Sequence, residues 1–228
     1  MNKKIIIIIL SIITLISIIF NIYYLDKYQI EKYRAINSEN NYKANSFVHF
    51  SIDDCINVFY DLDNKQEKYN SIFDNKLLKY LKKLNTEYGC KFSLYVFEKN
   101  DVFDIENCTT KYKEEFEENS DWLKFGFHAL SGNSDYNHDS ENIEKDYNTV
   151  INNLTKIVGK NSITNTFRME KFLLNKENAR KLKEQIGEYS LLGADTENRL
   201  DYYLTEEQNR QVFMDEYYFD EELRNIYL

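Results

Sequence analysis

Short apolar runs alternate with amphipathic segments over residues 47–194, and this alternation constrains the fold more than any other feature of the chain. Apolar runs of a few residues indicate buried strands, whereas apolar side chains spaced three and four residues apart indicate helices. A repeat of strand and helix implies right-handed crossovers, which place parallel strands side by side with helices outside them. The sequence therefore predicts an α/β fold, with strands at 47–52, 91–98, 122–127, 162–167 and 189–194.

The segments between these strands carry helix signals. Helices are predicted at about 74–88, from residue 109 or 110, from a cap at Asp139 or Ser140, and after a cap at Asn175. Thr205 with Gln208 predicts a capping box, and residues 211–219 and 223–228 read as two short strands.

Polar residues follow the predicted strands at the points where those strands end. They are Asp53, Asp54, His128, Arg168 and Asp195. The carboxyl ends of parallel strands share one edge of the sheet or barrel, and that edge is where such folds place their sites. An ordinary turn, in which Asp accepts hydrogen bonds from nearby backbone amides, is the alternative for Asp53-Asp54, and a turn or helix cap is the alternative for Asp195.

This set of residues suits metal-assisted hydrolysis. Asp54 and His128 can bind a divalent, zinc-like ion, because histidine offers a neutral nitrogen and aspartate an anionic oxygen. A second carboxylate beside the ion can take a proton from water, and an arginine can orient that carboxylate and keep it ionised. Phosphoryl chemistry is disfavoured, because the chain has neither a glycine-rich phosphate loop nor an Asp-x-Asp strand end.

In this order the motifs resemble the polysaccharide deacetylase family, carbohydrate esterase family 4, over roughly residues 47–200. The matching stretches are Ser51-Ile52-Asp53-Asp54-Cys55, the strand Phe92 to Phe97, Phe125-Gly126-Phe127-His128 with the following Ala129 to Gly132, and Phe167-Arg168-Met169-Glu170.

The resemblance implies a distorted, incomplete (β/α) barrel that removes acetyl groups from N-acetylated sugars. By that likeness Asp53 is the catalytic base, Asp54 and His128 are metal ligands, and Arg168 positions the base. Asp195 falls where it can contact substrate, and the exposed tyrosines Tyr202 and Tyr203 are expected to stack on sugar rings.

Two departures from the family pattern open an alternative. Gly132 stands where the family has its second metal-binding histidine, so we expect Asp135 or His138, on the following loop, to supply the third ligand. No histidine follows His138, whereas the family uses a late histidine as its general acid. The alternative is a catalytically degenerate relative that binds carbohydrate or a partner protein in the same cleft.

The amino-terminal segment predicts a membrane anchor. Residues 5–25 carry no charge and, as a helix, would span about 31 Å, which matches a bilayer core. No small residues that would signal cleavage follow this segment closely, so an uncleaved signal-anchor (residues 1–25) is expected, then a stalk (26–45) and the globular domain (46–228). The short tail before the apolar segment favours a cytoplasmic amino terminus, a single-pass protein in the cell membrane and an extracellular domain.

Charge and cysteine content narrow the partners. Without Lys3 and Lys4 the chain carries 27 basic and 38 acidic residues, a balance of −11, which disfavours nucleic acid as a partner. Three cysteines do not make a disulfide framework, and each is expected to be a small buried hydrophobic residue. An N-acetylated glycan and the membrane are the partners that the sequence predicts.

Overall fold

Strands and helices alternate along the part of the chain that the structure, a computed structural model, describes: residues 49–138, 142–193, 201–215 and 217–228. The strands there are β1 (His49–Ile52), β2 (Lys91–Phe97), β3 (Leu123–Ala129), β4 (Thr166–Phe167), β5 (Ser190–Leu191), β6 (Tyr218–Asp220) and β7 (Asn225–Tyr227). The helices there are α1 (Ile56–Asn64), α2 (Lys76–Tyr88), α3 (Lys113–Glu118), α4 (Ile143–Val158), α5 (Lys176–Ile186) and α6 (Glu206–Asp215).

The strands form two hydrogen-bonded sheets that a short contact joins. In the first sheet β1, β2 and β3 lie in that order and are parallel. In the second the order is β4-β5-β7-β6, with β4, β5 and β7 parallel and β6 antiparallel to β7. A parallel bridge between Phe125 and Ile163 joins the sheets, and the Thr164 N–H donates to the Phe125 carbonyl at 2.9 Å. The α/β prediction with parallel strands is therefore confirmed, and the described strands do not close into a barrel.

The central strands are buried on both faces, as parallel strands covered by helices must be. Residues 92–97 of β2 are all buried, and in β3 every residue except Lys124 is buried. Helix α4 packs against β3 and buries Val150, Leu154 and Ile157 on the side that the sequence periodicity predicts. This packing makes the middle of the sheet a rigid platform for the residues at its carboxyl edge.

Local capping explains where several helices begin. Asn75 caps α2 by accepting from the Leu77 and Leu78 amides, and Asn175 caps α5 by accepting from the Asn178 amide, as predicted. Thr205 and Gln208 form the predicted capping box at the start of α6.

Two predictions about local structure are wrong, and one helix was missed. Asn142, not Asp139 or Ser140, caps α4, because its side chain accepts from the Lys145 amide. Residues 211–215 continue helix α6, because the capping box starts a helix that overrides the strand propensity of Val212 and Phe213. Helix α1 was not predicted, although its buried Ile56, Val58, Phe59 and Leu62 have helical spacing.

The predicted membrane anchor (1–25) and stalk (26–45) lie outside the described residues. Within the described ranges, no helix is both long enough and apolar enough to cross a membrane. Cys55, Cys90 and Cys108 are buried and free, which confirms the expectation for the cysteines.

Candidate metal centre

His128 lies in an irregularity of β3 that turns its side chain toward the carboxyl edge of the sheet. Val96 of β2 pairs with Phe127, and the next residue, Phe97, pairs with Ala129, so His128 is the extra residue of a bulge. Bulges re-aim a side chain and occur often beside functional sites. The imidazole is 3 % exposed and packs against the Phe97 ring, with 4.8 Å between ring centroids.

A hydrogen bond to the Arg168 backbone leaves one nitrogen of His128 free to bind an ion. Nδ1 of His128 contacts the carbonyl oxygen of Arg168, which can only accept, so Nδ1 carries the proton. In the neutral ring Nε2 then has the lone pair. This is the outer-shell arrangement that orients metal-binding histidines in proteins.

Two carboxylates face Nε2 of His128. Oδ1 of Asp54 lies 3.5 Å from it and Oε2 of Glu170 lies 3.2 Å from it. The three atoms lie within 4.8 Å of one another, and no other group of this kind occurs among the described residues. The Asp54 side chain is 70 % exposed and that of Glu170 is 15 % exposed, so the cluster is open on one side.

The donor set fits a divalent metal ion. One neutral imidazole nitrogen and two carboxylate oxygens form a three-ligand set of the kind that catalytic ions use, with the open side left for water or substrate. Asp54, His128 and Glu170 could therefore hold a metal ion. Two carboxylates this close also repel each other unless a cation lies between them.

Glu170 is the member of this cluster that sequence reasoning missed. It lies two residues after Arg168, and neither its spacing nor the family resemblance marks it as a ligand. Its signal was an acidic residue near the end of a predicted strand. The structure leaves His138 out of the cluster: its side chain is 73 % exposed and its Nε2 lies 3.5 Å from Oδ2 of Asp135.

Asp53, the neighbour of Asp54, has a different set of partners. Its Oδ2 lies 2.9 Å from Nε of Arg168, whose Nη1 donates to Oγ of Ser51 at 3.0 Å. Burial raises the pKa of Asp53 above its ordinary value, although the charges of Arg168 and His128 oppose the shift. Oδ1 of Asp53 is buried and has no hydrogen-bond partner among the described residues, so its capacity to accept a proton is unused.

Backbone conformation separates the two aspartates. Asp54 has a φ of 58°, in the left-handed region that aspartate tolerates better than most residues. The turn sends adjacent side chains to different partners, Asp53 to Arg168 and Asp54 to His128.

Arg168 connects the two halves of the site. Its carbonyl holds His128 and its side chain holds Asp53, while its guanidinium carbon lies 5.1 Å from the centre of the Phe172 ring. The site therefore depends on β1, β3 and the end of β4 being held in one register.

Cys55, which follows the two aspartates, is not a nucleophile. Its thiol is 4 % exposed and donates to the backbone carbonyls of Ile52 and Asp53 at 3.3 Å and 3.4 Å. Burial, together with the two neighbouring carboxylates, raises the pKa of Cys55 to about 12. The thiolate needed for attack is therefore absent at neutral pH.

The remaining predicted substrate contacts differ in outcome. Asp195 lies outside the described residues. Tyr202 was expected to be exposed, but it is 8 % exposed and its hydroxyl donates to the Leu192 carbonyl at 2.6 Å, so it cannot stack on a sugar ring. Tyr203 is partly buried and donates to Asp220 at 2.8 Å.

Comparisons of the chain with models of known protein families, with curated proteins and with solved structures found no match.

Proposed function

We propose that the protein is a metal-dependent hydrolase of the polysaccharide deacetylase kind, which removes N-acetyl groups from a cell-surface or cell-wall glycan. The observation that carries this proposal is the division of roles between adjacent aspartates. Asp54 faces His128 and Glu170, as a metal ligand should, and Asp53 faces Arg168, as an oriented base should. Such pairing of a ligand carboxylate with a separate base suits metal-assisted hydrolysis of an amide.

The chain's own residues account for binding of the ion and for the proton transfers. Asp54, His128 and Glu170 would hold a divalent ion, which we propose to be zinc. When bound, that ion supplies Lewis acidity, which polarises a carbonyl oxygen and makes water more acidic. Arg168 fixes Oδ2 of Asp53 and leaves Oδ1 to take a proton from the attacking water.

The same carboxyl group can complete the reaction. Once protonated, Asp53 can return the proton to the leaving amine as the carbon–nitrogen bond breaks, so the amide yields acetate and a free amine. Burial favours the protonated form of Asp53, which suits this second role. A carboxyl group that acts first as base and then as acid removes the need for the late histidine that the chain lacks.

The proposal extends to the architecture and the location of the protein. The row of parallel strands supports a distorted, incomplete (β/α) barrel of the deacetylase type. The uncharged residues 5–25 support a single-pass anchor in the cell membrane, with the catalytic domain outside the cell. An N-acetylated glycan is the proposed partner, and nucleic acid is not.

Metal binding by the purified full chain tests the first part of the proposal. We expect about one zinc ion per chain, since the site has one set of three ligands. Asp54→Ala and His128→Ala should abolish binding, and Glu170→Gln should weaken it strongly. His138→Ala is the matched control and should bind zinc as the wild type does. A chain that binds no zinc, or that binds it equally well without His128, contradicts the proposal.

Acetate release tests the second part. The zinc-loaded chain should release acetate from an N-acetylglucosamine oligomer, and Asp53→Asn should abolish release while zinc stays bound. Loss of zinc from Asp53→Asn would instead assign Asp53 to the metal ligands.

A second candidate function is supported by the two departures from the family pattern, Gly132 and the missing late histidine. In this version the protein binds carbohydrate or a partner protein through the same cleft without turnover. Binding of the oligomer with no acetate released from it, by a chain that does hold zinc, would favour this candidate.

A further inference from the structure

Lys171 connects a metal-ligand carboxylate to the loop that follows β3. Its Nζ lies 3.2 Å from Oε1 of Glu170 and donates to the carbonyl oxygen of Gly132 at 2.8 Å. The other oxygen of the same carboxylate, Oε2, lies 3.2 Å from Nε2 of His128. Each carboxylate oxygen of Glu170 therefore has its own partner: Oε2 faces His128 in the metal cluster, and Oε1 faces Lys171 outside it.

The backbone around Lys171 is held in a strained form. Lys171 and Phe172 have φ values of 53° and 58°, a conformation that costs roughly 1–2 kcal/mol for each residue other than glycine. Buried packing compensates this cost: Met169 is fully buried, the Phe172 amide donates to its carbonyl at 2.9 Å, and the Tyr202 amide donates to the Phe172 carbonyl at 2.9 Å. Strained residues that the surrounding structure holds in place are concentrated at functional sites.

We propose that Lys171 is a positioning residue of the metal centre. It fixes Oε1 of Glu170 and the loop at Gly132, so that Oε2 is presented to the ion in one orientation. A free glutamate side chain must lose its rotamer freedom when it binds an ion, and Lys171 removes part of that loss beforehand. The inference rests on the proposed function, because it assigns Lys171 a role in the same metal site.

Because Lys171 is charged, the direction in which its removal changes the metal affinity distinguishes two effects. An ammonium group near a metal site repels a cation, so removing it should tighten metal binding if charge is its only effect. If Lys171 orients Glu170, removing it should weaken binding instead. The two effects act in opposite directions, and a measured dissociation constant shows which is larger.

The experiment measures the dissociation constant for zinc of the full chain by competition with a chromophoric chelator. Lys171→Met keeps the length of the side chain but removes its charge and its hydrogen bonds, and we expect a dissociation constant about 10- to 100-fold higher. Lys171→Arg, which keeps the charge and the donors, should restore most of the affinity. Lys176→Met is the matched control, because Lys176 makes the same kind of exposed contact with Glu222, at 2.5 Å, and should leave the constant unchanged.

A second comparison separates positioning from general damage. If Lys171 acts through Glu170, adding Lys171→Met to Glu170→Gln should cause no further loss of affinity. Urea unfolding of the metal-free Lys171→Met chain should match the wild type, because its side chain is 53 % exposed.

Three outcomes would overturn the inference. Unchanged or tighter zinc binding by Lys171→Met, while the wild type binds zinc, would refute the role of Lys171 and leave the proposed function intact. If Lys171→Met lowers the zinc affinity as much in the Glu170→Gln background as it does in the wild type, Lys171 does not act through Glu170. Failure of the wild type to bind zinc would refute the inference and the proposed function together.

Discussion

Replacing Arg168 with methionine removes the cation that pairs with the proposed base while keeping most of the apolar stem. In the wild type Nε of Arg168 lies 2.9 Å from Oδ2 of Asp53, and Nη1 donates to Ser51. The variant leaves the Asp53 carboxylate partly buried without a counter-charge, which should lower the free energy of unfolding. Asp53→Asn in the same background should recover part of the loss, because the amide carries no charge to compensate.

The size of the effect follows from the distance and the burial of the pair. At 2.9 Å and an effective dielectric constant of about 20, the attraction is about 6 kcal/mol before desolvation is counted. The cost of taking both ions out of water offsets much of this attraction. The Arg168 and Asp53 side chains are 19 % and 33 % exposed, so water also screens the pair. We expect a coupling energy of about 1–3 kcal/mol, which lies between the values for exposed ion pairs and those for fully buried ion pairs.

Urea unfolding of four metal-free chains at pH 7 measures this coupling: the wild type, Arg168→Met, Asp53→Asn and the double variant. The cycle cancels the lost Ser51 hydrogen bond, which both backgrounds share. A parallel cycle on the more exposed pair of Lys176 and Glu222 is the control and should show a much smaller coupling. A coupling at Asp53–Arg168 below about 0.5 kcal/mol, the limit of additivity, would refute the reasoning.

Three further predictions concern stability, and urea unfolding measures each. Gly126→Ala should cost about 1–3 kcal/mol, because its Cβ would lie 2.7 Å from side-chain carbons of both Tyr95 and Thr164; an unchanged midpoint would mean that these side chains move aside freely. Burial raises the pKa of Glu98 above its ordinary value of about 4.3. Between these two pKa values the folded chain holds a proton that the unfolded chain has released. The free energy of unfolding should therefore fall as the pH rises through this range. Glu98→Gln should reduce that slope and leave the part that other buried carboxyl groups, such as Asp53, contribute. An unchanged slope would contradict the assignment to Glu98. Thr205→Ala should lower the free energy of unfolding by about 1 kcal/mol, because it removes the cap of α6. An unchanged free energy of unfolding would contradict this, even if the far-ultraviolet helix signal changes.

Much of the fold could be predicted from the sequence, because the signals that decide it are local. Runs of aromatic and branched residues mark the buried strands β2 and β3 in the sequence. Gly89, Gly159 and Gly187 are the residues at which helices α2, α4 and α5 end. Prediction failed where two local signals compete. Residues 211–215 have strand-like composition, yet they follow a capping box, and hydrogen bonds that begin at a cap continue along the helix.

The site was only partly predictable from the sequence. The predicted ends of the strands indicate which residues lie near one edge of the sheet, but they do not indicate which atoms are in contact. The sequence predicts that four of these side chains lie near one another, and the structure brings them together: Asp53, Asp54, His128 and Arg168. The sequence predicts that the third ligand comes from the loop after β3, at Asp135 or His138. It comes instead from Glu170, whose direction depends on a strained turn that no sequence pattern signals.

The amino-acid sequence alone determined the alternation of strand and helix and the sheet edge at which the polar residues lie. Both follow from hydrophobic periodicity and capping, which act over a few residues. Tertiary structure decided the rest. The one-residue bulge at His128, the left-handed turns at Asp54 and Lys171, and the closeness of Glu170 to His128 arise only when strands far apart in sequence pack in register. A shift of one residue between strands reverses which side chains face the site, and the packing of the whole domain sets that register.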